Sequence, residues 1–210
     1  MKRITVIVIF LSFVMSESTL GQVNLDLAAG INLSKTEFKN FEGPSPESRL
    51  GYFIEIAPNY QLNEKVSLLM NFQYSEKGYK TRNTTNQDLL KFKHSYIDFM
   101  PEVEYNVLDY LAFGFGMYYG IKLNEQFKFE DGEWTDVGDV EFISSTDFGL
   151  TGKVKVNYKN IFWYVRYSLG LNDISNVVFT DVNGQSIDDA KQLNRNLQIG
   201  MGYSLDLSKN

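Results

Sequence analysis

Cysteine is missing from all 210 residues. Its absence removes disulfide frameworks, thiolate metal sites, thiol nucleophiles and the lipidated cysteine that follows some signal cleavage sites. Histidine occurs once, as His94, so a multi-histidine zinc site is excluded and a histidine-based triad has a single candidate. Basic charge is in deficit, with a net charge of −6 and no compact Lys/Arg cluster. Binding nucleic acid through its phosphates would require the opposite balance. No apolar run reaches the about 20 residues that a membrane-spanning helix needs. What the chain has instead is 13 Tyr, 16 Phe and 16 Gly beside only 4 Pro, a composition suited to strands joined by turns.

The first residues read as an export signal. Lys2 and Arg3 form a positive start, Ile4 to Met15 an apolar run, and Thr19 and Gly21 put small residues before a cut at Gln22. The expected division is therefore a signal peptide over 1–21 and a single domain over 22–210.

From Gln22 onward apolar residues alternate with polar or small ones, the period of a two-faced strand. Val23, Leu25, Leu27, Ala29, Ile31 and Leu33 share one face of the first segment; Asn24, Asp26, Ala28, Gly30 and Asn32 share the other. The pattern recurs around Leu50–Tyr60, Val66–Tyr74, Ile97–Tyr105, Leu111–Tyr119, Phe148–Val156, Ile161–Leu171 and Leu197–Leu205. Connections near Asn63–Glu64, Asn106–Asp109 and Asn157–Asn160 are short, whereas the others run to about 12 to 25 residues. Tight turns alternating with long loops, an even strand number and mid-strand charges on the polar face together predict an all-β fold. Specifically, they predict an eight-stranded antiparallel up-and-down transmembrane β-barrel in a Gram-negative outer membrane, with four long external loops and three short periplasmic turns. Tyr60, Tyr74, Tyr105, Tyr110, Tyr119, Phe162, Trp163 and Tyr203 are placed to form interfacial girdles.

Three segments carry a closer resemblance: Asp147-Phe148-Gly149, the run from Arg166 to Ile174, and Asn194-Arg195 with Gln198 and Gly202-Tyr203. They resemble the outer-membrane β-barrel family common in Bacteroidetes and described as PorT-like. Asp98-Phe99-Met100-Pro101 departs from that family's acidic-Ile-Pro pattern in the fourth strand. The resemblance implies a role as an accessory to secretion. Gln198, Gly200, Tyr203 and Leu205 also resemble the C-terminal signal read by the barrel-assembly machinery.

Glu55, Asp98, Glu102, Glu104, Lys153, Lys155 and Arg166 alternate with the apolar face and are expected to form an interior charge network that plugs and braces the barrel. His94 is expected at a loop–strand junction without a chemical role. Glu130, Asp131, Glu133, Asp136, Asp139 and Glu141 around Trp134, and Asp181, Asn183, Asp188 and Asp189 beside Gly184, are oxygen-rich but lack EF-hand spacing, which favours solvated loops over calcium sites. With no P-loop, dinucleotide glycine motif or nucleophile elbow, the reading is non-enzymatic and cofactor-free, without metal or nucleic acid. Its partners would be outer-membrane lipid, the assembly machinery and an extracellular protein or glycan. The alternatives are a barrel enzyme acting on lipid or lipopolysaccharide, and a narrow pore.

Overall fold

In a computed structural model of the protein, residues 22–41, 45–82, 89–130, 132–138, 141–180 and 184–207 are described. Residues 1–21, read above as a signal peptide, lie outside the described residues, as do Asp131, Asp139, Asp181 and Asn183.

The strands are β1 (Gln22–Lys39), β2 (Glu47–Gln61), β3 (Val66–Arg82), β4 (Leu89–Leu108), β5 (Leu111–Phe129), β6 (Thr135–Asp136), β7 (Thr146–Tyr158), β8 (Ile161–Gly170) and β9 (Lys191–Asp206). Eight of them pair antiparallel in the order β4-β3-β2-β1-β9-β8-β7-β5, and β4–β5 pairing closes the ring. Closure removes the unpaired edges that an open sheet would present. The short β6 flanks β5 at Gln126 and Phe127, above the point where β7 leaves it.

The side chains are sorted inside out relative to a soluble barrel. Leu27 faces Ile56 and Ala29 faces Ile54 across the β1–β2 ladder, yet Ile54 is 56% exposed and Leu27 41%. Asp26, Asn32, Glu55 and Asn59, from the alternate positions of the same strands, are buried. The apolar band covers the outside, between the row Tyr74–Ile97–Ile121 and the row Val66–Tyr105–Phe113. From Ile97 to Tyr105 a strand rises about 26 Å, enough for a tilted strand to cross most of the hydrocarbon layer.

Both chain ends of the barrel and the turns after β2, β4 and β7 lie at one end of it. Asn63 closes the first of these turns by accepting from the Lys65 and Val66 amides.

At the opposite end the ladders continue well past the apolar band. β3 and β4 stay paired as far as Arg82↔Leu89, and β4 and β5 as far as Leu90↔Phe129. Much of what reads in sequence as loop after the third and fifth segments is therefore strand. Backbone pairing needs no apolar side chains, so the ladder persists where the apolar period stops. His94 is the clearest correction: it lies inside β4, fully buried, rather than at a loop–strand junction.

The interior is not purely polar. Phe53, Phe162 and Tyr164 form a buried cluster with Ala28 packed against it. Phe162, read in sequence as a girdle residue, is corrected to an inward position, as its alternation with outward Ile161 and Trp163 requires. Gly30 and Gly200 face each other across β1–β9, and a Cβ on either would meet the Phe53 ring at 2.8 or 2.9 Å. These glycines make room for the aromatic cluster.

Candidate functional site

Seven interior side chains form one chain of alternating sign that crosses the lumen. Arg166 of β8 is bonded to Glu55 of β2 through both terminal nitrogens, with Nη2 at 3.2 Å from Oε1. Its Nε lies 3.7 Å from Glu102 Oε2 on β4. Glu102 contacts Lys153 of β7, which reaches on to Glu104 Oε2 at 3.0 Å. Lys155 then links Glu104 Oε1 at 3.1 Å to Asp26 Oδ2 of β1 at 3.3 Å. The charges come from five strands, and alternation aims each of them inward.

Neutral groups complete the coordination. Gln73 Nε2 donates to Glu55 at 2.8 Å, Gln198 Nε2 donates to Gln73 at 2.7 Å, and the Tyr164 hydroxyl donates to Glu55 at 3.2 Å. Asn71 accepts from Arg166 Nη2 at 3.4 Å. The Tyr164 ring lies 4.9 Å from the Arg166 guanidinium, and the Phe162 ring 4.6 Å from Lys155 Nζ. A buried charge is tolerable only with such partners.

Asp98 stands apart from this chain. It joins a second cluster nearer the loops, where Lys77 Nζ lies 2.8 Å from Asp98 Oδ1 and 3.3 Å from Asp147 Oδ2. Ser75 donates to Asp98 at 2.6 Å, and Tyr118 and Asn194 donate to Asp147 at 3.1 and 2.9 Å. The rings of Tyr96 and Tyr118 flank the Lys77 ammonium at 4.5 and 4.7 Å. Sequence reasoning overlooked Lys77, because it follows the last apolar residue of its segment. The signal available was its two-residue spacing from Ser75 and Gln73.

Above the apolar band, His94 is enclosed by Tyr79 and Phe92. Glu125 Oε1 lies 3.9 Å from its Nε2, but the same carboxylate is held by Lys122 at 2.9 Å. Burial first, then the cations Lys122, Arg49 and Lys77, push the imidazole down to about 3, so it is neutral at pH 7. The mouth over it is aromatic: Tyr79 stacks on Phe92 at 4.8 Å, and Phe38, Phe41 and Phe179 pack edge to face or tilted around it.

In the acidic loop, Asp136 accepts from Gln126 and Asn124 at 2.7 and 3.2 Å, and these hydrogen bonds lower its carboxyl below the ordinary range. Asp188 accepts from Ser186, and Asp189 from Asn40. Among the described residues no three metal-binding side chains converge.

At the turn end a polar cavity of about 140 Å³ is lined by Asn24, Asn59, Ser67, Asn157 and, at its inner side, Glu104 and Lys155. Of the C-terminal signal residues, Gln198 and Gly200 face inward, and Tyr203 and Leu205 face outward.

The family profile described as outer membrane protein beta-barrel domain matches residues 15–176. Several solved structures are similar. The attachment invasion locus protein Ail of Yersinia pestis, in complex with the heparin analogue sucrose octasulfate, is 12% identical, with 89% of this chain and 100% of that one covered at a TM-score of 0.48. Neisserial surface protein A is 16% identical over 85% of this chain and 96% of that one, at 0.48. The outer membrane protein OprG of Pseudomonas aeruginosa is 12% identical over 89% and 98%, also at 0.48. No curated protein matches the chain in sequence.

Proposed function

Because this chain belongs to the outer membrane protein beta-barrel domain family, we propose that it is a plugged, non-enzymatic barrel whose loop end is its working surface. The observation that carries this reading is the alternating chain from Glu55 to Asp26, which joins strands on opposite sides of the ring through the middle of the lumen. Eight strands enclose room for side chains but not for side chains and a water column together. The charges brace the wall, and binding is left to the exposed rim and loops.

In this reading the three turns and both termini face the periplasm and the loop end faces outward. Gln198, Gly200, Tyr203 and Leu205 serve the barrel-assembly machinery before the ring closes. The ligand is an extracellular protein or glycan, or, following the PorT-like resemblance, a component of a secretion assembly. A barrel enzyme acting on lipid and a narrow pore are the competing readings. Planar-bilayer recording separates the last of these, since a plugged barrel gives no steady single-channel current and a pore does. Cross-linking in the native membrane, with a photoreactive group in place of Val178, which is 74% exposed on the last loop, should capture a partner from outside the cell. Protease added to intact cells should cut only the loops. Cleavage at a turn under those conditions would reverse the orientation.

A further inference from the structure

The interior chain of charges does not balance. Asp26, Glu55, Glu102 and Glu104 bring four negative charges, Lys153, Lys155 and Arg166 bring three positive ones, and all seven side chains are buried. The chain begins on one acid, Glu55, and ends on another, Asp26. A buried charge left over in this way needs a counter-ion of its own.

The surplus has a place. Both oxygens of Glu55 are held, by Arg166, Gln73 and Tyr164. Glu102 meets Lys153 through Oε1 and Arg166 through Oε2, and Glu104 meets Lys155 through Oε1 and Lys153 through Oε2. Asp26 engages Lys155 and the Asn59 amide, each at 3.3 Å, through Oδ2. Its Oδ1 is buried and has no hydrogen-bond partner among the described residues. The same is true of Asn59 Oδ1, on the carboxamide that donates to Asp26.

There is room beside these two oxygens. Asn59 lines the polar cavity at the turn end, together with Asn24, its partner across β1–β2, and Ser204, which stands opposite Asp26 across β1–β9. The cavity of about 140 Å³ would hold about four to five waters at about 30 Å³ each. Its carboxamide and hydroxyl oxygens are hard ligands. We infer that Asp26 and Asn59, beside this cavity, bind a monovalent alkali-metal cation, with Asn24 and Ser204 placed to add oxygens to its shell. A single positive charge balances the chain. Calcium or magnesium would set twice that charge against the Lys155 ammonium already on Asp26, and every other carboxylate oxygen of the chain is engaged. The site draws on the charge chain alone, so it does not depend on the orientation of the barrel or on any extracellular ligand.

The test is urea unfolding of the purified barrel in detergent micelles, with choline chloride replaced stepwise by sodium chloride at constant ionic strength. A cation bound only by the folded barrel should multiply the folded-to-unfolded ratio about ten-fold for each ten-fold rise in sodium above its dissociation constant. Asp26→Asn leaves three acids against three bases, so this variant should fold, and its stability should no longer follow sodium. Asn59→Ala breaks none of the ion pairs and should shift the response to higher sodium. Asp188→Asn, on the exposed last loop, should respond as wild type does. Crystals grown with thallium(I) in place of sodium should show an anomalous peak against Asp26 Oδ1. Equal wild-type stability in sodium and choline, or an Asp26→Asn barrel that still responds to sodium, would overturn the site. A carboxylic-acid infrared band that Asp26→Asn removes would overturn it too, by assigning the surplus to a proton. A stronger response to calcium than to sodium at equal concentration would overturn its monovalence.

Discussion

The same β-strands carry lysine and arginine in two settings that differ in what surrounds each cation. Inside the barrel, Lys77, Lys153 and Lys155 are each shared between two carboxylates, and Arg166 is held by Glu55 with Glu102 beside it. On the outer face above the band, Lys93 and Lys128 lie against the Trp134 ring instead. An interior cation without a partner would be intolerable, so pairing there follows from burial. An exposed cation is hydrated and does not require a carboxylate beside it. Position on the strand thus separates charge that burial obliges to pair from charge that water can hydrate.

The sharpest way to break this comparison is to unpair one interior charge. Arg166→Met leaves Glu55 and Glu102 facing each other without their guanidinium and should cost about 3–5 kcal/mol, less if water enters. Adding Glu55→Gln to the same chain should recover part of the loss, because one of the stranded charges is removed. Urea unfolding from liposomes measures both, and an Arg166→Met barrel as stable as wild type would end the bracing role. The apolar band comes next. Val165 is 46% exposed near the middle of β8, and Val165→Arg should destabilise the barrel by about 2–4 kcal/mol in a bilayer. In the same experiment Val165→Ala should cost much less, since it removes volume without adding charge.

Alternation makes the faces legible in the sequence. Asp26, Glu55, Glu102, Glu104, Lys153, Lys155 and Arg166 could be placed on the inward side because a period of two leaves no choice once the outward face is apolar. Their order across the lumen could not be read, since it depends on strand stagger and on ladder shifts such as the one between Ser48 and Phe53. Asp98 illustrates this limit: it shares the face of Glu102 and Glu104, yet pairs with Lys77 from the adjacent β3. Lys77 was overlooked and His94 misplaced for a different reason. Past Tyr74 and Ile97 the lipid no longer demands apolar side chains, so the period fades while the hydrogen-bonded ladder continues. Phe53 and Phe162 were obscured because large inward aromatics fit only where Gly30, Gly200 and Gly202 stand nearby, a relation across β2, β1, β9 and β8 that no single segment displays.

His94 tests the boundary between the two settings, since it is buried but lies above the band. Its folded value is depressed to about 3 from an unfolded value near about 6.5. Between those limits the unfolded chain binds a proton that the folded chain does not, so stability should be full above about pH 6.5 and fall as the pH drops toward 3. Other acid-sensitive groups add their own slopes. The difference between wild type and His94→Gln isolates this one, and equal pH profiles for the two would mean that the imidazole is hydrated or paired in the folded state.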